Sequence, residues 1–320
     1  MKYTITVLVV VLLAMSLTSV YAGNTRRLGT AGAQELVIPV GSRSTSMGGA
    51  VIADVYGVES MHWNPAGLAY LSGTEAMFTY LPYLADINVH FVGMATNVEG
   101  FGSIGAAAKI VSIGDMEETT WENPDGTGRI YNPTLSVISV TYSRIMTERV
   151  AVGLTAKLIY EKIFEASAAG VAFDLGFHYE PGWRGLALGL TIQNYGPDMR
   201  FAGDGFNRSL EGREAAPKSA SFDLPSSFNM GASYDFVDYE SSVVTASGNF
   251  RSNNYSQDYW QGGLEYTYRD RYSLRGGYNF ADQDGWLYGV SFGGGLVFDV
   301  GNTKLTLEYS WTETDLFDDN

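Results

Sequence analysis

The sequence predicts an all-β chain, a transmembrane antiparallel β-barrel behind a non-alternating leader, and three observations predict it. From about residue 74 onward, apolar or aromatic residues alternate with small or polar ones, the period of a strand. The alternating stretches run roughly ten to fourteen residues, about twice the length of a sandwich strand. About twelve residues at 3.3 Å each, tilted by roughly 40°, span on the order of 30 Å, a bilayer's apolar thickness. Aromatic residues such as Tyr80, Tyr142, Tyr179, Trp183, Tyr272 and Trp311 gather near the ends of these stretches, at the height where bilayer interfaces favour them. A soluble periplasmic β-protein is the alternative that would also alternate.

Composition narrows the field. The chain has 320 residues, 38 glycines, 21 tyrosines, 16 phenylalanines, no cysteine and a formal net charge of -15. Disulfide scaffolds and cysteine-ligated metals are excluded. A strongly acidic chain offers nucleic acid no basic face for its phosphates, so no nucleic-acid partner is expected. So many aromatics exclude a disordered chain. Apart from the first twenty or so residues no apolar run is long enough for a helical span.

The faces of the strands read clearly. Leu186, Leu188, Leu190 and Ile192 share one face, with Ala187, Gly189, Thr191 and Gln193 on the other. Val171, Phe173, Leu175, Phe177 and Tyr179 oppose Ala172, Asp174, Gly176 and His178, and Leu305, Leu307, Tyr309 and Trp311 oppose Lys304, Thr306, Glu308 and Ser310.

Strands are predicted over 74–81, 85–98, 101–113, 133–144, 149–162, 167–180, 185–197, 226–237, 241–252, 257–268, 271–281, 285–299 and 302–313, thirteen in all. The two long connections, 114–132 and 198–225, both follow odd-numbered strands and so fall on one side; short turns such as Glu180-Pro181-Gly182 and Arg269-Asp270-Arg271 occupy the other. Bacterial barrels place long loops outside, which puts the amino terminus on the periplasmic side. A thirteenth strand then ends outside, although bacterial single-chain barrels carry an even number. The expectation is fourteen strands with thirteen visible, the closing one lost by truncation or supplied by another chain.

Residues 1–22 read as a secretory signal. Lys2 precedes an apolar stretch to Leu17, and Val20-Tyr21-Ala22 offers small residues for cleavage. Residues 23–72 do not alternate and form a separate leading element, and residues 73–320 form the barrel.

That element contains GSRSTSMGGAVIADVYGVESMHWNPAGLA, from Gly41 to Ala69. Met47, Gly48, Gly49 and Ala50, followed by Trp63, Asn64, Pro65, Ala66, Gly67 and Leu68, resemble in order and spacing the entrance motif of the PorV/PorQ family of the FadL-like superfamily. The resemblance continues more loosely into LPSSFNMGASYDF from Leu224. It implies a fourteen-stranded outer-membrane barrel in which residues 23–72 form an internal plug, with Arg43, Met47, Gly48, Gly49, Trp63, Asn64, Pro65 and Ala66 as its plug or gate residues. The residue types suit a plug. Two glycines permit close backbone approach, and Pro65 stiffens a turn that Asn64 can close. Arg43 could pair with a lumen carboxylate such as Asp174 or Glu265.

Two functions follow from the resemblance, and a third reading stands beside them. PorV-like members imply a cargo-receiving accessory of type IX-like protein secretion, FadL-like members a channel for long-chain fatty acids or other hydrophobic compounds, and a structural barrel without transport is the third. The inward residues are mostly Gly, Ala, Ser, Thr, Asn and Glu, which leans against a wide apolar conduit. Trp121, Tyr131, Phe201 and Phe206 give the long loops aromatic anchors for a docking partner. The expected surroundings are outer-membrane lipid, a secreted cargo protein or secretion components, and hydrophobic small molecules.

Apparent catalytic motifs lack their context, so no enzyme activity, catalytic residue, metal or cofactor is expected. Gly100 to Gly105 matches a dinucleotide fingerprint without the helix it needs. Gly289 to Gly293 matches a nucleophile elbow, yet no histidine follows His178. His62, His90 and His178 lie far apart without metal-ligand spacing, and Asn123 to Gly128 lacks a full calcium-loop pattern.

Overall fold

Thirteen long strands form an uninterrupted antiparallel path in chain order. They are β1 (Thr74–Pro82), β2 (Asn88–Val98), β3 (Gly102–Ser112), β4 (Thr134–Thr147), β5 (Val150–Ile163), β6 (Ala166–Tyr179), β7 (Ala187–Tyr195), β8 (Ser227–Tyr239), β9 (Ser242–Asn253), β10 (Tyr259–Tyr268), β11 (Tyr272–Phe280), β12 (Tyr288–Val300) and β13 (Thr303–Thr314). The structure is a computed structural model describing residues 29–85, 87–183, 185–203, 219–239, 241–281 and 288–314. The predicted signal segment and Phe206 lie outside the described residues.

The outward face is the apolar one. Leu175, Leu188, Ile192, Leu264, Phe292 and Leu307 are exposed, while Ala172, Asp174, Thr191, Gln193 and Gln261 are buried. This inversion identifies a transmembrane barrel: lipid solvates the greasy side chains and the polar ones face the lumen. Trp183 stacks near Tyr234, and Tyr268 near Tyr272, at the short-turn rim, consistent with an interfacial aromatic band.

The sheet counts fourteen strands, but the fourteenth is not a closing one. It is Ala202–Gly203, which pairs with Ser167 and Ala166 at the loop-side end of β6. It covers β6 where β7 falls short: the β6–β7 register shifts between Phe173 and Leu175, and Asn194 adopts a positive φ of 57°. Among the described residues β1 and β13 each have one neighbour, and both run towards the long-connection side. An antiparallel strand between them would pair with both edges.

The leading residues thread the lumen. A 3-10 turn at Gln34–Leu36 is followed by α1 (Ser42–Ser46), α2 (Ser60–Trp63) and a 3-10 run at Pro65–Tyr70. The first described part lies on the long-connection side, where Ala31 bridges Asp223 and Leu36 packs with Ile159, Ala168, Met199 and Leu224. The chain then descends to meet the short-turn end of β1. The start of β1 therefore lies at the short-turn end and residues 31–36 at the long-connection end, because the plug traverses the barrel before the wall begins.

Candidate functional site

The Asn-Pro-Ala segment is held by its own chemistry. Asn64 is extended and fully buried, and its Oδ1 accepts the Ala66 N–H at 3.1 Å, capping the 3-10 run that Pro65 opens. Its Nδ2 donates to the Ile52 carbonyl at 2.7 Å and to the Phe177 carbonyl of β6 at 3.3 Å. One side chain thus joins two plug segments and the wall. Trp63 donates from Nε1 to the Val40 carbonyl at 2.8 Å. Gly48 and Gly49 both have positive φ, 62° and 79°, and turn the chain after α1 beneath fully buried Met47.

An irregular backbone inside a barrel leaves carbonyls that need donors, and the wall supplies them. Asn249 of β9 donates to Gly49 O at 2.7 Å, Gln261 of β10 to Gly48 O at 2.5 Å, and Gln193 of β7 to both His62 O and Trp63 O. Ser143 of β4 reaches Ala66 O at 3.1 Å, and Lys109 of β3 reaches Ile38 O at 2.9 Å. Wall glycines match these donors. A Cβ at Gly153, Gly176, Gly189 or Gly277 would overlap Pro65, Asn64, Ile52 or Met47 respectively. At these four positions the missing side chain makes room for the plug.

Charge fastens the same element. The Arg43 guanidinium in α1 donates to Asp54 Oδ2 at 2.7 Å, to the Asp54 carbonyl, and to Glu265 Oε2 of β10 at 2.6 Å. Glu265 also pairs with Arg275 of β11 at 2.5 Å, which reaches Glu308 of β13 at 2.9 Å. Of the two partners expected for Arg43, the structure selects Glu265. Asp174 is taken by Lys157 at 2.5 Å and by the Asn194 backbone N–H at 2.7 Å. Burial pushes the Asp54 carboxyl above its ordinary pKa despite Arg43, which is shared with Glu265. Burial, then the neighbouring Glu161 carboxylate, raises Glu35 to about 8. At the short-turn end, His178 is fully buried, with Nε2 2.9 Å from Ala53 O and Nδ1 2.9 Å from the Tyr70 hydroxyl.

A cavity of about 820 Å³ opens at the other end, above the plug and against β1, β12 and β13. Plug residues Pro39, Thr45, Gly48 and Trp63 form its floor, and Tyr83, Arg251, Tyr259 and Tyr288 line its walls.

The anticipated loop residues separate. Trp121 is fully exposed in the 114–132 connection, where residues 116–117 pair with 130–131. Tyr131 instead packs on Phe164, and Phe201 packs on Phe222 against the Met199 cluster. Met47, Gly48, Gly49, Trp63, Asn64, Pro65 and Ala66 do converge in one plug. Asn249, Gln261, Gln193 and His178, the wall side of that interface, were not anticipated as site residues. The available signal was a polar side chain on the small-residue face of an otherwise lipid-facing strand.

The residues of the dinucleotide-like and elbow-like patterns lie in a β2–β3 turn with the start of β3 and in β12. Among the described residues no group of three potential ligands could hold a metal ion.

Comparison with solved structures finds the same architecture at low identity. A variant of the monoaromatic hydrocarbon channel TodX aligns with TM-score 0.55 and 16% identity, covering 85% of this chain and 92% of that one. The monoaromatic hydrocarbon channel CymD aligns at 0.53 and 14%, covering 86% and 93%. A Pseudomonas aeruginosa FadL homologue aligns at 0.50 and 13%, covering 87% and 91%. At such identity the likeness concerns the fold. No curated protein matches. The family described as type IX secretion system protein PorV matches residues 21–252, through the plug and the wall to the end of β9, and the chain belongs to that family.

Proposed function

We propose that this barrel is a non-enzymatic accessory of type IX-like secretion in the outer membrane of a Gram-negative-type bacterium. It is exported by its leading segment and receives a secreted cargo protein on its long loops. The observation that carries the reading is the fastening of the plug. Wall donors and ion pairs hold it from both ends, and wall glycines admit its backbone without a gap, so the lumen serves as a rigid base for the loops. Family membership supports the same role. Trp121, fully exposed on the 114–132 connection, supplies an aromatic docking element.

Deleting the gene tests this reading when secreted cargo and long-chain fatty-acid uptake are assayed together. The expected result is loss of secretion with uptake unchanged, and complementation by Trp121→Ala should restore less secretion than the parent. Unchanged secretion with lost uptake would replace the reading by the second one, a channel for hydrophobic compounds. The observation favouring that second reading is the aromatic-lined cavity above the plug.

A further inference from the structure

Two buried lysines of the wall face one small pocket at the plug. Lys109 of β3 and Lys157 of β5 are each 5% exposed, and both line a space of about 20 Å³ together with Ser139 of β4 and the plug residues Leu36, Met61 and His62. The register brings them there. Lys157 lies opposite Ser139, and Lys109 opposite Val137, which is two residues along the same inward face of β4. Neighbouring strands are about 4.8 Å apart, so long side chains from either side of β4 reach the same spot.

Their charges are not matched alike. Lys157 pairs with Asp174 at 2.5 Å and donates to Asn194 Oδ1 at 2.7 Å. Lys109 has no carboxylate within 4 Å among the described residues, and its hydrogen bond there runs to the Ile38 carbonyl at 2.9 Å. Glu35, the acid whose charge it feels most, faces Glu161 instead. The two ammonium groups also repel each other. Buried like charges are costly unless an anion joins them.

Size and donor chemistry select the occupant. Roughly 10–15 Å³ is enough for one water, so the space admits one atom-sized guest and no carboxylate, phosphate or sulfate. Ammonium groups donate and cannot accept, and Ser139 and His62 can each donate as well. A water there would find few acceptors for its own hydrogens, whereas a monatomic anion needs none. We propose that Lys109, Lys157 and Ser139 hold one halide ion, chloride in the protein's surroundings, between the wall and the plug. The ion turns a repulsion into a bridge across three strands, with the plug residues closing over it. The pocket shares no lining residue with the larger cavity, and the proposal is independent of the secretion reading.

The test uses the full chain in detergent. Crystals grown in sodium bromide should show an anomalous bromide peak between Lys109, Lys157 and Ser139. In solution, urea unfolding is followed as chloride replaces gluconate, an anion too large for the pocket, at fixed ionic strength. The midpoint should rise with the logarithm of chloride concentration once the site fills. Lys109→Met should lose that rise and Ser139→Ala should lose part of it, whereas general salt effects act on parent and variants alike. Heat-modifiable gel mobility checks that each variant folds, and if Lys109→Met does not, the bromide peak and Ser139→Ala decide. No peak in the pocket, a peak with equal midpoints in chloride and gluconate (an adventitious ion only), or a chloride response that survives the variants undiminished would overturn the proposal.

Discussion

The backbone of Gly153 in β5 lies so close to Pro65 in the plug that a single methyl group at 153 would overlap the Pro65 carbonyl. Wall and plug are thus in direct backbone contact, with no side chain between them. Gly153→Ala must push the plug away or bend β5, whereas Gly248→Ala on β9 meets nothing nearer than 3.8 Å. Overpacking of this kind costs about 1–3 kcal/mol. Urea unfolding in detergent should therefore show a lowered midpoint for Gly153→Ala and a near-parental one for Gly248→Ala.

Asn64 offers a second test of fastening. Asn64→Ala removes the cap on Ala66 and strands the Ile52 carbonyl that Nδ2 satisfies. Loss of the cap costs about 1 kcal/mol, and an unsatisfied buried acceptor about 1–3 kcal/mol more. Asn64→Asp keeps the acceptor for Ala66 but sets a fully buried carboxylate oxygen against the Ile52 and Phe177 carbonyls. At neutral pH it should therefore be less protected than Ala, which in turn is less protected than the parent. Protease protection of the plug, read as the rate of cleavage within residues 29–72, should rank the three in that order.

The carboxyl of Glu35 makes plug stability depend on pH. Burial first and Glu161 second raise it to about 8 in the folded barrel, so the protonated form is favoured there relative to the unfolded chain. Its stabilising contribution is complete below the ordinary carboxylate range and is lost as pH rises through about 8. Glu59, buried and raised to about 7, acts in the same direction. The unfolding midpoint should be higher at pH 6 than at pH 9, and Glu35→Gln should reduce that drop, with Glu59 accounting for part of what remains. A drop undiminished in the variant would remove Glu35 as a source.

The wall was legible because lipid requires an apolar residue at every second position. β5, read as 149–162, is Val150–Ile163, and β13, read as 302–313, is Thr303–Thr314. The plug has no such period, so its residues were readable as a motif while its path up the lumen was not. The choice of Glu265 for Arg43 spans 222 residues and left no local trace. The exclusion of Asp174 did leave one. Lys157 lies opposite Ala172 on the adjacent strand, which places Lys157 and Asp174 as diagonal inward neighbours. A connection as long as 198–225 is usually solvated, which is why the sequence offers Phe201 as a loop anchor. Its ring instead packs on Phe222 beside Met199, where burial against the leading turn outweighs exposure.

Arg43 carries the last prediction, because it joins the plug to two strands through one shared carboxylate. Removing it leaves Asp54 and Glu265 without their common cation, although Arg275 still faces Glu265. Breaking a buried pair from one side costs about 3–5 kcal/mol. The figure for Arg43→Gln should sit at the lower end, because its side chain retains 18% exposure and Glu265 keeps a second partner. Glu265→Gln should be as harmful or worse, since it leaves two arginines facing a neutral amide. In a double-mutant cycle the combined variant should lose less than the two single losses added together, which is the signature of a direct interaction. Additive losses in urea unfolding would mean that Arg43 acts through Asp54 alone, and that the tie to the wall carries no energy.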